Sequence, residues 1–192
     1  MIILLRPALM LFATLTVVTG IIYPLTVTGL AQVLFPYQAN GSIVTVDGKP
    51  IGSELIGQAF SSSGYFWGRP SATEPQPYNA RASSGSNLGP LNPELSRMVK
   101  ARVAVLRTAD PSNRQWVPVD LVTGSASGLD PDISLAAAHY QAGRVAKARN
   151  RPISQITALI ERYARRPWLG IFGEPRVNVL ALNIAVGQLR SQ

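Results

Sequence analysis

PALMLFATLTVVTGIIYPLTVTGLAQVL, residues Pro7–Leu34, decides the architecture, because no charged side chain occurs anywhere between Arg6 and Asp47. A helix of about 20 apolar residues crosses the roughly 30 Å of bilayer hydrocarbon, and this run exceeds that length. A helix also satisfies its own backbone polar groups, which lipid cannot do. The stretch is therefore read as a transmembrane helix over residues 7–34. Phe35, Pro36 and Tyr37 close it with aromatic side chains suited to the interface. Arg6 precedes the span and the next basic residue is Lys49. The positive-inside bias then leaves residues 1–6 in the cytoplasm and residues 35–192 extracytoplasmic, on the outer side of the cell inner membrane. Gly29 and Ala31 offer a small-x-small pair for signal cleavage, but the apolar run is about twice the 7–15 residues of a signal core. A retained anchor is expected.

The anchor is unusually rich in small and polar residues. Thr16 and Gly20 form a small-xxx-small pair, with Pro24 one turn on, and this side is expected to meet a partner helix. The competing reading is that the threonine hydroxyls bond their own helix. Beyond the anchor, 15% charged residues against 46% hydrophobic is low next to the roughly 25% of soluble domains, as a diluting membrane segment would make it. Cysteine is absent, which excludes disulfides, thiol catalysis and cysteine-bound zinc. The formal charge of +8 invites nucleic acid as a partner. An exported domain rarely meets DNA or RNA, so no nucleic-acid partner is expected. The arginines are instead expected to face solvent, anionic headgroups of membrane lipid, or acidic partner loops.

The remainder reads as one helix-rich α/β domain with a small sheet. Ser42–Val46, Asp47-Gly48 and Lys49–Ile51 predict a hairpin on a tight primed turn. Residues 61–93 lack either period and are crowded with Gly, Pro, Ser and Asn, a long loop whose aromatics argue for order. Asn92 and Pro93 start a helix with Leu95, Met98, Val99, Val103 and Leu106 on one face. Val117–Val122 reads as a strand. Asp132 or Ser134 caps a second helix reaching about Arg149, and a third follows Pro152. Val177 and Val179 mark a strand end or helix entry before apolar Leu180–Leu189.

Motifs for chemistry fall short. The one Gly-Lys pair, Gly48-Lys49, is followed by Pro50, so no phosphate loop forms, and the Asp-Lys-Thr-Gly-Thr phosphorylation motif is absent. Gly124-Ser125-Ala126-Ser127-Gly128 resembles a nucleophile elbow with alanine in the nucleophile's place. A hydrolase would have to use Ser125 or Ser127 with His139, the sole histidine. Asp130, Asp132 and Ser134 begin a calcium-loop spacing without its glycine or closing glutamate, so no metal site is expected. Ser83-Ser84-Gly85-Ser86-Asn87 has the composition to present amides and hydroxyls to an anion.

Taken together, FPYQANGS (35–42), GSELIGQAF (52–60), YFWGRPSAT (65–73), SSGSNLGPLNPEL (83–95), VPVDLVTGSASGLDPDIS (117–134), RVAKARN (144–150) and GEPRVNVLALN (173–183) resemble one family. It is the C subunit of the bacterial Kdp potassium-transporting P-type ATPase, matched over nearly the whole chain. The resemblance implies a non-catalytic accessory subunit with no cofactor of its own, ATP entering at the level of the complex. Its implied partners are a channel-like subunit, an ATP-hydrolysing subunit and a small subunit, and its implied role is a catalytic chaperone that raises the hydrolysing subunit's ATP affinity. Carried over, the nucleotide-binding candidates are Ser84, Gly85, Ser86 and Asn87, with Gln58 or Gln141 as the implicated glutamine. Tyr65, Phe66 and Trp67 are expected in a loop touching a partner. The chain departs from the pattern at Gly143, where proline is frequent. The topology sets this domain across the membrane from cytoplasmic ATP, which opposes direct nucleotide contact.

Overall fold

The structure, a computed structural model, describes residues 2–167 and 170–189. The chain divides into two compact units, one ending at Pro50 and the other beginning at Ile51.

In the first unit, α1 (Ile2–Val17), a π-helical turn (Val18–Ile22) and α2 (Tyr23–Leu34) run on without a break. The 31 residues Leu4–Leu34 make a helix long and apolar enough to cross a membrane, and none of it is buried by the chain itself. At 1.5 Å per residue it is about 46 Å long, more than the hydrocarbon thickness. The helix begins before Pro7, earlier than the apolar run alone predicts. Pro24 explains the π turn. Proline lacks an N–H and crowds the carbonyl four residues back, and the turn widens so that the Tyr23 N–H donates to the Val18 carbonyl. A short helix α3 (Pro36–Ala39) follows. Strands β1 (Ile43–Val46) and β2 (Lys49–Ser53), the latter running on past the unit boundary at Pro50, form the hairpin that the sequence predicts. Asp47 and Gly48 both adopt positive φ, 51° and 74°, as a primed turn requires.

In the second unit, α4 (Pro93–Ala109) is capped by Asn92, whose Oδ1 accepts from the Glu94 N–H. Strand β3 (Asp132–Ser134) leads into α5 (Leu135–Ala148), then come α6 (Ile153–Tyr163), β4 (Ala164–Arg165), β5 (Arg176–Asn178) and α7 (Val179–Gly187). The antiparallel sheet has the order β3-β5-β4, with Ile133 opposite Val177. Of the two capping candidates it is Ser134 that caps α5, its Oγ accepting from the Ala137 N–H. Val117–Val122 is no strand but a 3₁₀ turn over Val119–Leu121. Within that turn the Asp120 carboxylate accepts from both the Ser134 N–H and Oγ, which fixes the segment as a brace for the start of α5.

The core gathers Leu121, Ile133, Val145, Ile156, Ile160, Val177, Leu182 and Val186. Into it runs an irregular segment carrying Phe66 and Trp67, 0% and 7% exposed. A strand-less backbone in an apolar interior must find other partners for its N–H and C=O groups. Two buried carboxamides provide them. Asn183 of α7 accepts from the Phe66 N–H at 2.7 Å and donates to the Phe66 carbonyl at 3.0 Å. Gln141 of α5 accepts from the Trp67 N–H at 2.8 Å and donates to the Trp67 carbonyl at 3.0 Å. All four backbone groups of the dipeptide are thus paired, and the loop that lacks periodicity in the sequence is ordered.

Asn183→Leu keeps the branched side-chain shape and heavy-atom count while orphaning both backbone groups of Phe66. It should lower the unfolding free energy by about 2–6 kcal/mol, on the order of 1–3 for each of the two unpaired groups. Gln188→Leu, on the exposed end of the same region, should change it by less than about 0.5 kcal/mol. Urea denaturation of the full chain in detergent checks the pair, and equal midpoints would contradict the clamp.

Candidate functional site

The residues singled out from sequence do not converge on one place. Gln141 is 1% exposed, and its amide is consumed by Trp67, the Ala137 carbonyl and Arg144. It lies in the core, so a nucleotide contact is corrected to a structural role. Gln58 is half-buried, donates to the Ile51 carbonyl at 3.0 Å, and borders a small cleft with Tyr78 and Arg102. Ser84, Gly85 and Ser86 border a different, open hollow with Thr73, Leu88 and Met98. Asn87 is exposed with φ 51°.

The Ser-Gly run has a clear structural partner in the second Ser-Gly run. The Ser84 N–H and the Ser83 hydroxyl both donate to the Ser127 carbonyl at 3.0 Å. A Cβ on Gly85 would lie 2.8 Å from the Ala126 carbonyl oxygen. Gly128, at φ 67°, would place one 2.6 Å from the Ser84 carbonyl oxygen. The two loops interlock backbone to backbone, and the glycines are there for close approach.

Other candidates are likewise engaged. His139 meets Glu161 at 3.1 Å on an exposed surface, while Ser125 Oγ and Ser127 Oγ accept from the Gly128 and Leu129 amides. Asp130 pairs with Arg69 at 2.9 Å and Asp132 with Arg176 at 2.8 Å. Among the described residues no three acidic or histidine side chains are grouped to hold a metal. In the long N-terminal helix, the Thr14, Thr16 and Thr19 hydroxyls donate to carbonyls four residues back at 2.7–2.8 Å, so the Thr16 hydroxyl is spent on its own helix. Gly20 lies in the π turn with open space where a Cβ would be, and Pro24 in the first turn of α2.

The expectation that Tyr65, Phe66 and Trp67 touch a partner is corrected for two of the three. Phe66 and Trp67 are core, and only Tyr65 is half-buried. Arginines hold this segment from outside the clamp. Arg144 stacks 4.3 Å from the Trp67 ring centroid while donating to the Ser63 carbonyl and to Gln141. Burial pushes the Arg144 guanidinium down to about 10, still charged at neutral pH. Arg149 stacks 4.4 Å from Tyr65 and donates to the Gly64 carbonyl. Arg102 lies 5.7 Å from Trp67 and donates to the Leu121 and Gly68 carbonyls. Much of the basic charge therefore works inside the domain. Sequence reasoning missed Asn183 and Arg144. A lone polar residue amid VLALNIAV was the available signal for the former.

Residues 5–188 match the family model described as "KdpC: K+-transporting ATPase, c chain". The chain belongs to the KdpC family. Three relatives named "Potassium-transporting ATPase KdpC subunit" illustrate the likeness. That of Polaromonas naphthalenivorans is 61% identical over 187 residues, covering 97% of this chain and 95% of the relative. That of Methylibium petroleiphilum is 62% identical over 183 residues, covering 95% and 96%. That of Variovorax paradoxus is 63% identical over 181 residues, covering 94% of each. The KdpC likeness thus spans the long N-terminal helix and the second unit alike. Gly143 sits inside an unbroken α5.

If the Ser-Gly run is an interlock, Gly85→Ala and Gly128→Ala should each cost about 2 kcal/mol, while Ser86→Ala costs under about 0.5 kcal/mol. Thermal unfolding of the three full-length variants checks the order. A Ser86 effect as large as the glycine effects would contradict it.

Proposed function

We propose that this KdpC-family chain is a non-catalytic accessory subunit of an ATP-driven potassium import complex. The match over residues 5–188, anchor included, is the observation that carries the reading. In this reading residues 1–6 are cytoplasmic, the helix crosses the inner membrane, and residues 35–192 lie outside. The Thr16, Gly20 and Pro24 side of the helix packs against a membrane helix of the channel-like subunit. Small side chains there permit close approach even with the Thr16 hydroxyl already engaged.

From outside, the domain has no access to cytoplasmic ATP, yet it can raise ATP affinity by linkage. A subunit that binds the assembled, nucleotide-competent state more tightly than other states shifts the population toward it, and affinity follows by the same factor. The chain then needs no nucleotide site, no cofactor and no metal of its own. ATP belongs to the hydrolysing subunit.

The complex purified without this chain should show a KM for ATP raised several-fold or more, within the roughly 5–150-fold span of typical coupling. An unchanged KM together with an unchanged yield of the other subunits would reject the accessory role. His139→Ala should support potassium-limited growth like the parent chain, whereas a hydrolase built on His139 would lose its function.

A further inference from the structure

The α4 helix is incompletely buried for its composition. Of its 17 residues only Leu106 is buried. Met98 and Val105 are 40% and 48% exposed, and Leu91 just before the helix is 96% exposed. Between α4 and the segments around Pro70 and Val122 lies a groove of about 390 Å³, walled by Leu95, Met98, Ala101 and Val105. Apolar side chains left open in this way mark a surface that another protein covers.

The groove has one charged feature that selects its occupant. Arg102 lines it, half-buried, and bonds only backbone carbonyls and the Trp67 face. Arg97, also at the groove, already pairs with Glu94, but no carboxylate pairs with Arg102 among the described residues. Burial lowers the Arg102 pKa, and the Tyr78 phenol is the one group that acts against that shift. A half-buried cation without a counter-ion, set in an apolar trough, complements a carboxylate carried on an apolar segment.

We propose that the α4 groove docks an extracytoplasmic segment of a partner subunit, apolar in character and carrying one Asp or Glu that pairs with Arg102. The inference rests on the accessory-subunit reading and names the surface through which it acts. Arg102 itself supports the fold through Trp67 and two carbonyls, so its removal is a poor test. Ala101, exposed on the groove wall, is the better probe.

A photo-crosslinking amino acid at position 101, in the full complex, should join this chain to a partner segment in which an acidic residue is flanked by apolar ones. Ala101→Glu sets a like charge against the incoming carboxylate and should cut recovery of the complex at least roughly tenfold. Ala148→Glu, the same charge change on the exposed end of α5, should leave recovery unaltered. Matching circular dichroism and melting of both variants separates docking from folding. An intact complex with no adduct from position 101, or an adduct only to lipid, to a second copy of this chain or to a segment lacking an acid, would overturn the groove alone. So would equal recovery of the two variants. Failure of the unaltered chain to purify with the other subunits would overturn the accessory reading and the groove with it.

Discussion

Four backbone groups of Phe66 and Trp67, buried with no strand beside them, are the constraint on which the second unit depends. A polar backbone group left unpaired in an apolar interior costs as much as several buried methylenes contribute. Here each residue is gripped on both its N–H and its C=O by one carboxamide, Asn183 from α7 and Gln141 from α5. A carboxamide is the side chain that offers an acceptor and a donor at the spacing of a peptide group. The two grips bring α5 and α7 to a common segment, and Arg144 and Arg149 extend the contact outward through Trp67 and Tyr65. The apolar core then closes around a dipeptide whose position is already set.

That arrangement explains which parts of the fold the sequence makes legible. Local signals read well. The charge-free run gives the long helix, Asp47-Gly48 gives the primed turn, and Asn92 and Ser134 give helix starts, because each acts through neighbours a few residues away. The clamp joins residues 117 and 74 positions apart, and no periodicity encodes such pairs. The same blindness misplaced Phe66, Trp67 and Gln141. Aromatic residues in a Gly-rich loop look like a contact surface, and a glutamine on a helix looks available, until the interior they share is seen. Val117–Val122 failed for a related reason. Its apolar alternation is real, but the Asp120 carboxylate is committed to Ser134 and bends the segment into a turn.

The candidate site was legible only as a set of motifs, not as a place. Ser83–Asn87 reads alone as an anion loop and Gly124–Gly128 as a near nucleophile elbow, and together they are each other's partner, joined through Ser84 and Ser127. The hydroxyls, carboxylates and guanidiniums that invite a chemical reading are largely occupied in holding irregular backbone. A rigid domain of this kind suits a subunit that acts by binding. In the proposed reading, a docking preference of this unit is passed by linkage, through its partner subunits, to their nucleotide equilibrium.

Sidedness is therefore the claim on which the functional account turns. The chain has no cysteine, so Lys147→Cys, on the exposed face of α5, introduces a unique thiol. A membrane-impermeant maleimide added to sealed, right-side-out spheroplasts carrying the complex should label it fully before any permeabilisation. Labelling that appears only after the membrane is opened would put the domain beside the nucleotide and contradict the account.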